Sequence, residues 1–263
     1  MRKIVDDHTV EVIVDIATQS EKPDYPDVGD RIELVRGQTL EPYAPNEIAG
    51  VEVCPDGGLR LQLRQPIPEG LAETDLIANL TRAASLTIRN CSVRNNRARA
   101  FLVQTRDVEI ENCTFDHCTG TAIHLNCSIY WYESLSVNRV SVRNNRFVEC
   151  GFGAGTIGGA EAMVVSVESP GAVVGVHRDI RFTGNVIHGR NGMALRIESA
   201  QGVRVEGNEF ISSSPIALID DSREVVFRNN RFDVVQAQFV IGKGCCEKSI
   251  ELRDEACEIK QMR

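Results

Sequence analysis

Residues 86–93 read LTIRNCSV, and the phrase returns as VEIENCTF at 108–115, VSVRNNRF at 140–147 and IRFTGNVI at 180–187. VRVEGNEF follows at 203–210 and VVFRNNRF at 225–232, with a weaker copy, IELRDEAC, at 250–257. One polar slot recurs in all seven, filled by Cys91, Cys113, Asn145, Asn185, Asn208, Asn230 and Glu255. Uninterrupted copies are 22, 23, 22 and 25 residues apart, and two intervals stretch to 32 and 40. A second apolar segment follows each slot, as at 100–103, 122–125, 194–197, 217–219 and 239–241; in the third copy it comes late, at 163–167. Alternation with period two, and Val, Ile and Phe at the alternate positions, predict strands and not helices. Two or three short strands per unit of about 22 residues describe one coil of a right-handed parallel β-helix. Each coil leaves backbone N–H and C=O groups that only the next coil satisfies, so the units must stack at about 4.8 Å per rung. The corner asparagines are read as structural: Asn tolerates left-handed backbone, and its amide can bond the same residue one rung away.

Residues 1–80 differ. Strand-like runs at 8–16, 30–35, 50–54, 59–63 and 75–80 are separated by turns such as CPDGG, a hairpin signal. The expected fold is all-β: a small antiparallel barrel or sandwich over residues 1–83, then about seven helical coils over 84–263.

Composition narrows the function. The 263 residues are 42% hydrophobic and 25% charged, as in globular proteins, which excludes disorder. A net charge of −8 repels phosphate backbones, and 5% aromatic residues suit no base-stacking platform, so no nucleic-acid partner is expected. No run of eighteen apolar residues occurs, so no membrane-spanning helix is expected, and the first residues are too acidic for the apolar core of a signal peptide. Nine cysteines, an odd number with no Cys-x-x-Cys pair, predict free thiols and neither a metal site nor a cofactor. Cys91 and Cys113, on neighbouring rungs, are read as stacked thiols close enough to bridge. His177 and His188 are read as ordinary loop residues.

Long insertions mark the working side of a solenoid. One, at 126–139, holds the single Trp; the other is the glycine-rich run at 150–160. Aligning the second strands puts Leu102, His124, Arg196 and Ile219 in one outward column and Gln104, Asn126, Glu198 and Asp221 in the next. Glu198 and Asp221 would then sit on adjacent rungs, close enough to raise one another's pKa as an acid/base pair requires. The alternative is a solvated outer face. Trp131, Tyr132 and Glu133 suit a sugar, the indole covering its apolar face and the acid taking its hydroxyl protons, unless the Trp merely plugs the loop root. Arg97 and Arg99, one coil earlier, reach the same region or form surface ion pairs.

The barrel-type VGDRIELV, then RNCSVRNNRARAFLVQT, VEIENCTFDHCTGTAIHL, YWYES and VSVRNNRFVECGFG in that order resemble glycoside hydrolase family 110. The likeness runs from about Asp27 to Asn230. It implies exo-acting hydrolysis of terminal α-1,3-linked galactose with inversion, on a β-helix interrupted by a barrel. It carries over Arg99, Trp131 and Glu133 as cleft residues. The family's paired aspartates belong to coils ahead of the barrel, and neither Asp6–Asp7 nor Asp220–Asp221 matches them. The resemblance therefore implies a chain short of those coils, with an incomplete catalytic site, and an exported protein in any longer form. Glu133 is the first candidate for a cleft carboxylate, with Glu198 and Asp221 next. Trp131, Tyr132, Arg97, Arg99, Gln104, His124, Asn126 and Arg196 are candidate substrate contacts. The rival reading is a non-catalytic carbohydrate-binding or structural solenoid, whose exposed coil ends would then show as self-association.

Overall fold

The computed structural model describes residues 1–13, 25–55, 57–130, 136–153, 161–171, 173–245, 247–254 and 257–261. The chain divides into two compact units, Met1–Ala83 and Ala84–Arg263.

The first unit is a six-stranded antiparallel sheet. Its strands run in the order Lys3–Ile4, Thr9–Val12, Leu59–Leu63, Pro42–Val53, Arg31–Val35 and Leu76–Asn79. Alternation aims Val10, Ile32, Leu34, Ile48, Leu59, Leu61 and Leu63 into one core. Val53 pairs with Leu59, and Cys54 N–H donates to the Gly58 carbonyl at 2.8 Å, so the Pro-Asp-Gly-Gly stretch does close a hairpin. Sequence reading missed the Lys3–Ile4 strand and the first half of Pro42–Val53. The latter carries Pro42, Pro45 and Asn46, residues that ordinarily argue against a strand.

The second unit winds into three parallel sheets, the right-handed β-helix that the repeat predicts. Seven strands stack in the first sheet, from Leu86–Arg89 to Ile250–Leu252, and six in the second, from Ser92–Arg94 to Arg231–Phe232. Another seven stack in the third, from Phe101–Val103 to Cys257–Gln261. Register is direct: Ile110 pairs with Ile88 and with Val142, and Phe115 with Val93 and with Phe147. Like side chains therefore stack along the axis. Phe115 and Phe147 lie 5.0 Å apart between centroids, and Phe147 and Phe182 5.7 Å, inside a core of Val, Ile and Phe.

The polar corner is built from two adjacent positions. Left-handed backbone falls on the residue before the slot, at Asn90, Asn112, Asn144, Gly184, Gly207 and Asn229, with φ between 54° and 64°. The slot asparagines are instead linked to one another, and Asn145, Asn185 and Asn208 are buried. Asn145 N–H donates to Asn185 Oδ1 at 2.9 Å, Asn185 N–H to Asn208 Oδ1 at 2.9 Å, and Asn208 N–H to Asn230 Oδ1 at 3.0 Å. Asp254 ends the ladder, accepting Asn230 N–H at 3.0 Å and Nδ2 at 2.7 Å, where the repeat alignment had put Glu255. Glu255 lies outside the described residues. Cys91 and Cys113 are free thiols, as are the other described cysteines.

Candidate functional site

The outer face of the third sheet carries the polar residues. Its strands include Ile123–Ser128, Met163–Glu168, Leu195–Glu198 and Ala217–Asp220. Ile123, Leu125, Met163, Val165, Leu195, Ile197, Ala217 and Ile219 fill the core, so the residues between them face outward. The pairing corrects the sequence alignment by one residue in the fifth coil. Leu195 pairs with Ala217, Arg196 with Leu218 and Glu198 with Asp220, so Asp221 is not the rung neighbour of Glu198. Residues 216–219 are Ile, Ala, Leu and Ile, apolar toward both faces, so no alternation marked which of them points inward.

Arg196 organises one half of the face. Its Nε donates to Glu161 Oε1 at 3.2 Å and its Nη1 to Glu198 Oε1 at 3.4 Å. The Glu161 side chain is fully buried, that of Arg196 is 17% exposed and that of Glu198 30%. Burial pushes the Glu161 carboxyl above the usual carboxylate range, against the pull of Arg196. Burial also raises Glu198, Arg196 again opposing and Asp220 and Asp221 adding to the rise. Asp221 is raised by burial and then by Asp220. Asp220 Oδ1 accepts the N–H of Asp221 at 2.9 Å and of Gly244 at 3.3 Å. A Cβ at Gly242 would stand 2.0 Å from Asp220 Oδ1 and 2.1 Å from its Cγ, so a side chain there would displace the Asp220 carboxylate.

The other half is a linked chain. Arg99 Nη1 lies 3.2 Å from His124 Nδ1, and His124 Nε2 lies 2.8 Å from Ser166 Oγ. Ser166 Oγ donates to Asn126 Oδ1 at 3.4 Å, and Asn126 Nδ2 to Glu168 Oε1 at 3.3 Å. His124 points outward from the sheet, as the alignment predicts, yet it is only 1% exposed. Burial first, then Arg99, pushes its pKa down to about 4, so the ring is neutral at ordinary pH.

The structure thus brings Arg99, His124 and Asn126 into one network, and Arg196 and Glu198 into another. Gln104 is half-buried at the end of the first coil's strand, and Arg97 is exposed. Trp131, Tyr132 and Glu133 lie outside the described residues, as do 154–160 of the glycine-rich insertion. His177 is not a loop residue: it opens the strand His177–Thr183 and is fully buried. Its Nδ1 accepts Val137 N–H at 3.1 Å and its Nε2 lies 2.8 Å from the Ser166 carbonyl, a structural pin with its pKa pushed down to about 4 by burial. Sequence reading missed Glu161, Ser166 and Glu168. All three belong to the third coil, whose late strand had been left out of the column alignment; the run MVVSVE at 163–168 was the available signal.

A barrel-like antiparallel unit, a seven-rung parallel solenoid and a polar strip on one outer sheet face define a β-helix protein with a candidate ligand wall. A family model described as "Right handed beta helix region" matches residues 76–232, and one described as "GLAA-B beta-barrel domain II" matches residues 24–77. The chain belongs to the right-handed β-helix family, and its pairing of barrel and helix is like that of glycoside hydrolase family 110. It is 35% identical over 185 residues to an alpha-1,3-galactosidase A of Akkermansia muciniphila, a match covering 69% of this chain and 30% of that protein. It is 27% identical over 245 residues to an alpha-1,3-galactosidase B of Bacteroides fragilis, covering 87% of this chain and 37% of the relative. For an alpha-1,3-galactosidase B of Bacteroides thetaiotaomicron the identity is 26%, over 78% of this chain and 35% of the relative. The chain therefore spans about a third of the length of the curated relatives it matches.

Proposed function

We propose that this chain forms a sugar-handling wall of the α-1,3-galactosidase type, and that its reaction is hydrolysis of a terminal α-linked galactose with inversion. The observation that carries the reading is the guanidinium of Arg196 shared between Glu161 and Glu198, beside Asp220 and Asp221, on the face that also holds His124 and Asn126. A carboxyl raised by burial and by neighbouring acids keeps its proton to higher pH, as a general acid requires. Glu198 would protonate the leaving oxygen as the bond to the anomeric carbon breaks. A second carboxylate, Glu133 or Asp221, would take a proton from the water whose oxygen bonds that carbon from the opposite side. Arg196, Asn126, Gln104, Arg97 and Arg99 would contact sugar hydroxyls, His124 would hold its neighbours in place, and Trp131 and Tyr132 would cover the ring.

The test is incubation of the full chain with p-nitrophenyl α-galactoside and with an α-1,3-linked galactose disaccharide. Release of nitrophenol and free galactose is expected, with Glu198→Gln slower by a hundredfold or so. Binding of both sugars with no release supports the second reading, a non-catalytic carbohydrate-binding solenoid. Neither binding nor release would overturn both. Self-association is a separate part of this proposal, checked by sedimentation over a range of concentrations.

A further inference from the structure

Hydrogen-bond direction along the Arg99–Glu168 half of the face is settled by its two ends. Arg99 can only donate, and Glu168 Oε1 accepts from Asn126 Nδ2. His124 Nδ1 must therefore accept from Arg99 Nη1 at 3.2 Å, which leaves the ring proton on Nε2 to be donated to Ser166 Oγ at 2.8 Å. Ser166 then gives its own proton to Asn126 Oδ1, at 3.4 Å, and this turns the Asn126 amide so that Nδ2 faces Glu168 Oε1, at 3.3 Å. Each member has one orientation that satisfies both neighbours. Oε2 of Glu168 is left without a hydrogen-bond partner among the described residues, on a half-exposed side chain that shares the outer face. Val165 pairs with Ile197, so one step on Ser166 stands beside Glu198, and Glu168 lies two residues further along its strand. With strands about 4.8 Å apart and about 3.3 Å per residue, the Cα atoms of Glu168 and Glu198 are roughly 8 Å apart.

We propose that Glu168 is a further ligand-contacting carboxylate of this wall, opposite Glu198, and that Ser166 is the positioning residue that fixes the relay aiming it. The ligand class is a neutral polyhydroxylated ring, whose hydroxyl protons an acceptor-only oxygen takes while Arg196 and Asn126 supply donors. This rests on the sugar-handling reading and names two residues that the reading does not need.

The experiment is calorimetric titration of the full chain with methyl α-galactopyranoside, together with ¹⁵N imidazole spectra of the unliganded protein. The unsubstituted chain is expected to bind, Glu168→Gln to bind about tenfold more weakly or worse, and Ser166→Ala to lose several-fold, with Ser166→Thr regaining most of that loss. His124 is expected to carry its proton on Nε2, and Ser166→Ala to shift that nitrogen's resonance. Glu168 is half-exposed, so its variant should melt as the parent does. Equal affinity of the parent and Glu168→Gln would overturn the proposal while leaving the sugar reading intact, and so would a His124 proton on Nδ1. A parent chain that takes no galactoside would overturn both.

Discussion

Asn208 Oδ1 accepts both the backbone N–H of Asn185, at 2.9 Å, and its side-chain Nδ2, at 3.0 Å. The Asn208 amide passes the arrangement on, donating to the Phe182 carbonyl at 2.8 Å and to Asn230 Oδ1 at 3.0 Å. Four bonds converge on one buried amide, which links the coils on either side of it. Asn208→Ala should therefore cost about 2–4 kcal/mol, since buried donors and acceptors on both neighbouring coils lose their partner. Urea unfolding checks this, and a loss below half a kcal/mol would mean that the ladder is decorative.

Arg196→Ala should destabilise the helical unit in a way that depends on pH. Glu161 is fully buried and its carboxyl is already raised by burial; Arg196 is the cation that opposes the rise. A group whose folded pKa lies above the unfolded value contributes stability that is complete below the unfolded value and is lost as pH rises through the folded one. Without Arg196 the carboxyl rises further, so the loss at neutral pH should reach about 3–5 kcal/mol and shrink as the pH is lowered toward the usual carboxylate range. The double variant Arg196→Ala with Glu161→Gln should recover much of it, measured by thermal melting at several pH values.

The barrel unit should respond in the opposite sense. Burial pushes the Asp75 carboxyl upward, but the N–H groups of Ala72 and Gly37, the guanidinium of Arg36 and the hydroxyl of Tyr43 outweigh it and hold the group below the usual range. Their distances to its oxygens are 3.1, 3.0, 3.1 and 3.2 Å. Stability from a depressed carboxyl is present above the unfolded pKa and is lost as pH falls through the folded value. Asp75→Asn should cost about 1–3 kcal/mol near neutrality and flatten the acid limb of the barrel's stability. Hydrogen exchange of peptides from residues 31–53, corrected for intrinsic rates, reads this locally.

Thiol reactivity should follow burial. Cys127 is buried and its pKa is pushed up to about 12 by that burial, with Glu168 adding; Cys113 and Cys118 are also buried and raised. Cys91 is exposed. Native labelling with a disulfide reagent should modify Cys91 within minutes and leave Cys113, Cys118 and Cys127 until the chain unfolds. Early labelling of Cys127 would show that the third sheet opens locally.

Much of the fold was legible because a stacked coil repeats its own pattern. The slot at Cys91, Cys113, Asn145, Asn185, Asn208 and Asn230 marks the first six rungs, and the alternation at 108–111 or 203–206 says which side chains enter the core. The site was less legible. His124, Asn126, Arg196 and Glu198 could be picked out as outward positions and Arg99 as a turn residue one coil earlier, but Asp221 was matched to Glu198 because Leu218 made both strand faces apolar. Glu161, Ser166 and Glu168 were passed over because an insertion had shifted their strand along the chain.

The amino-acid order alone determined the winding and the count of rungs, since a periodic pattern of apolar and amide residues has one way to bury the first and pair the second. Which carboxylates share Arg196, and which way the hydrogen bonds run from Arg99 to Glu168, only the tertiary structure decided. Those contacts join residues tens of positions apart, across insertions of unequal length, and depend on strand register, where a slip of one residue exchanges the inner face for the outer.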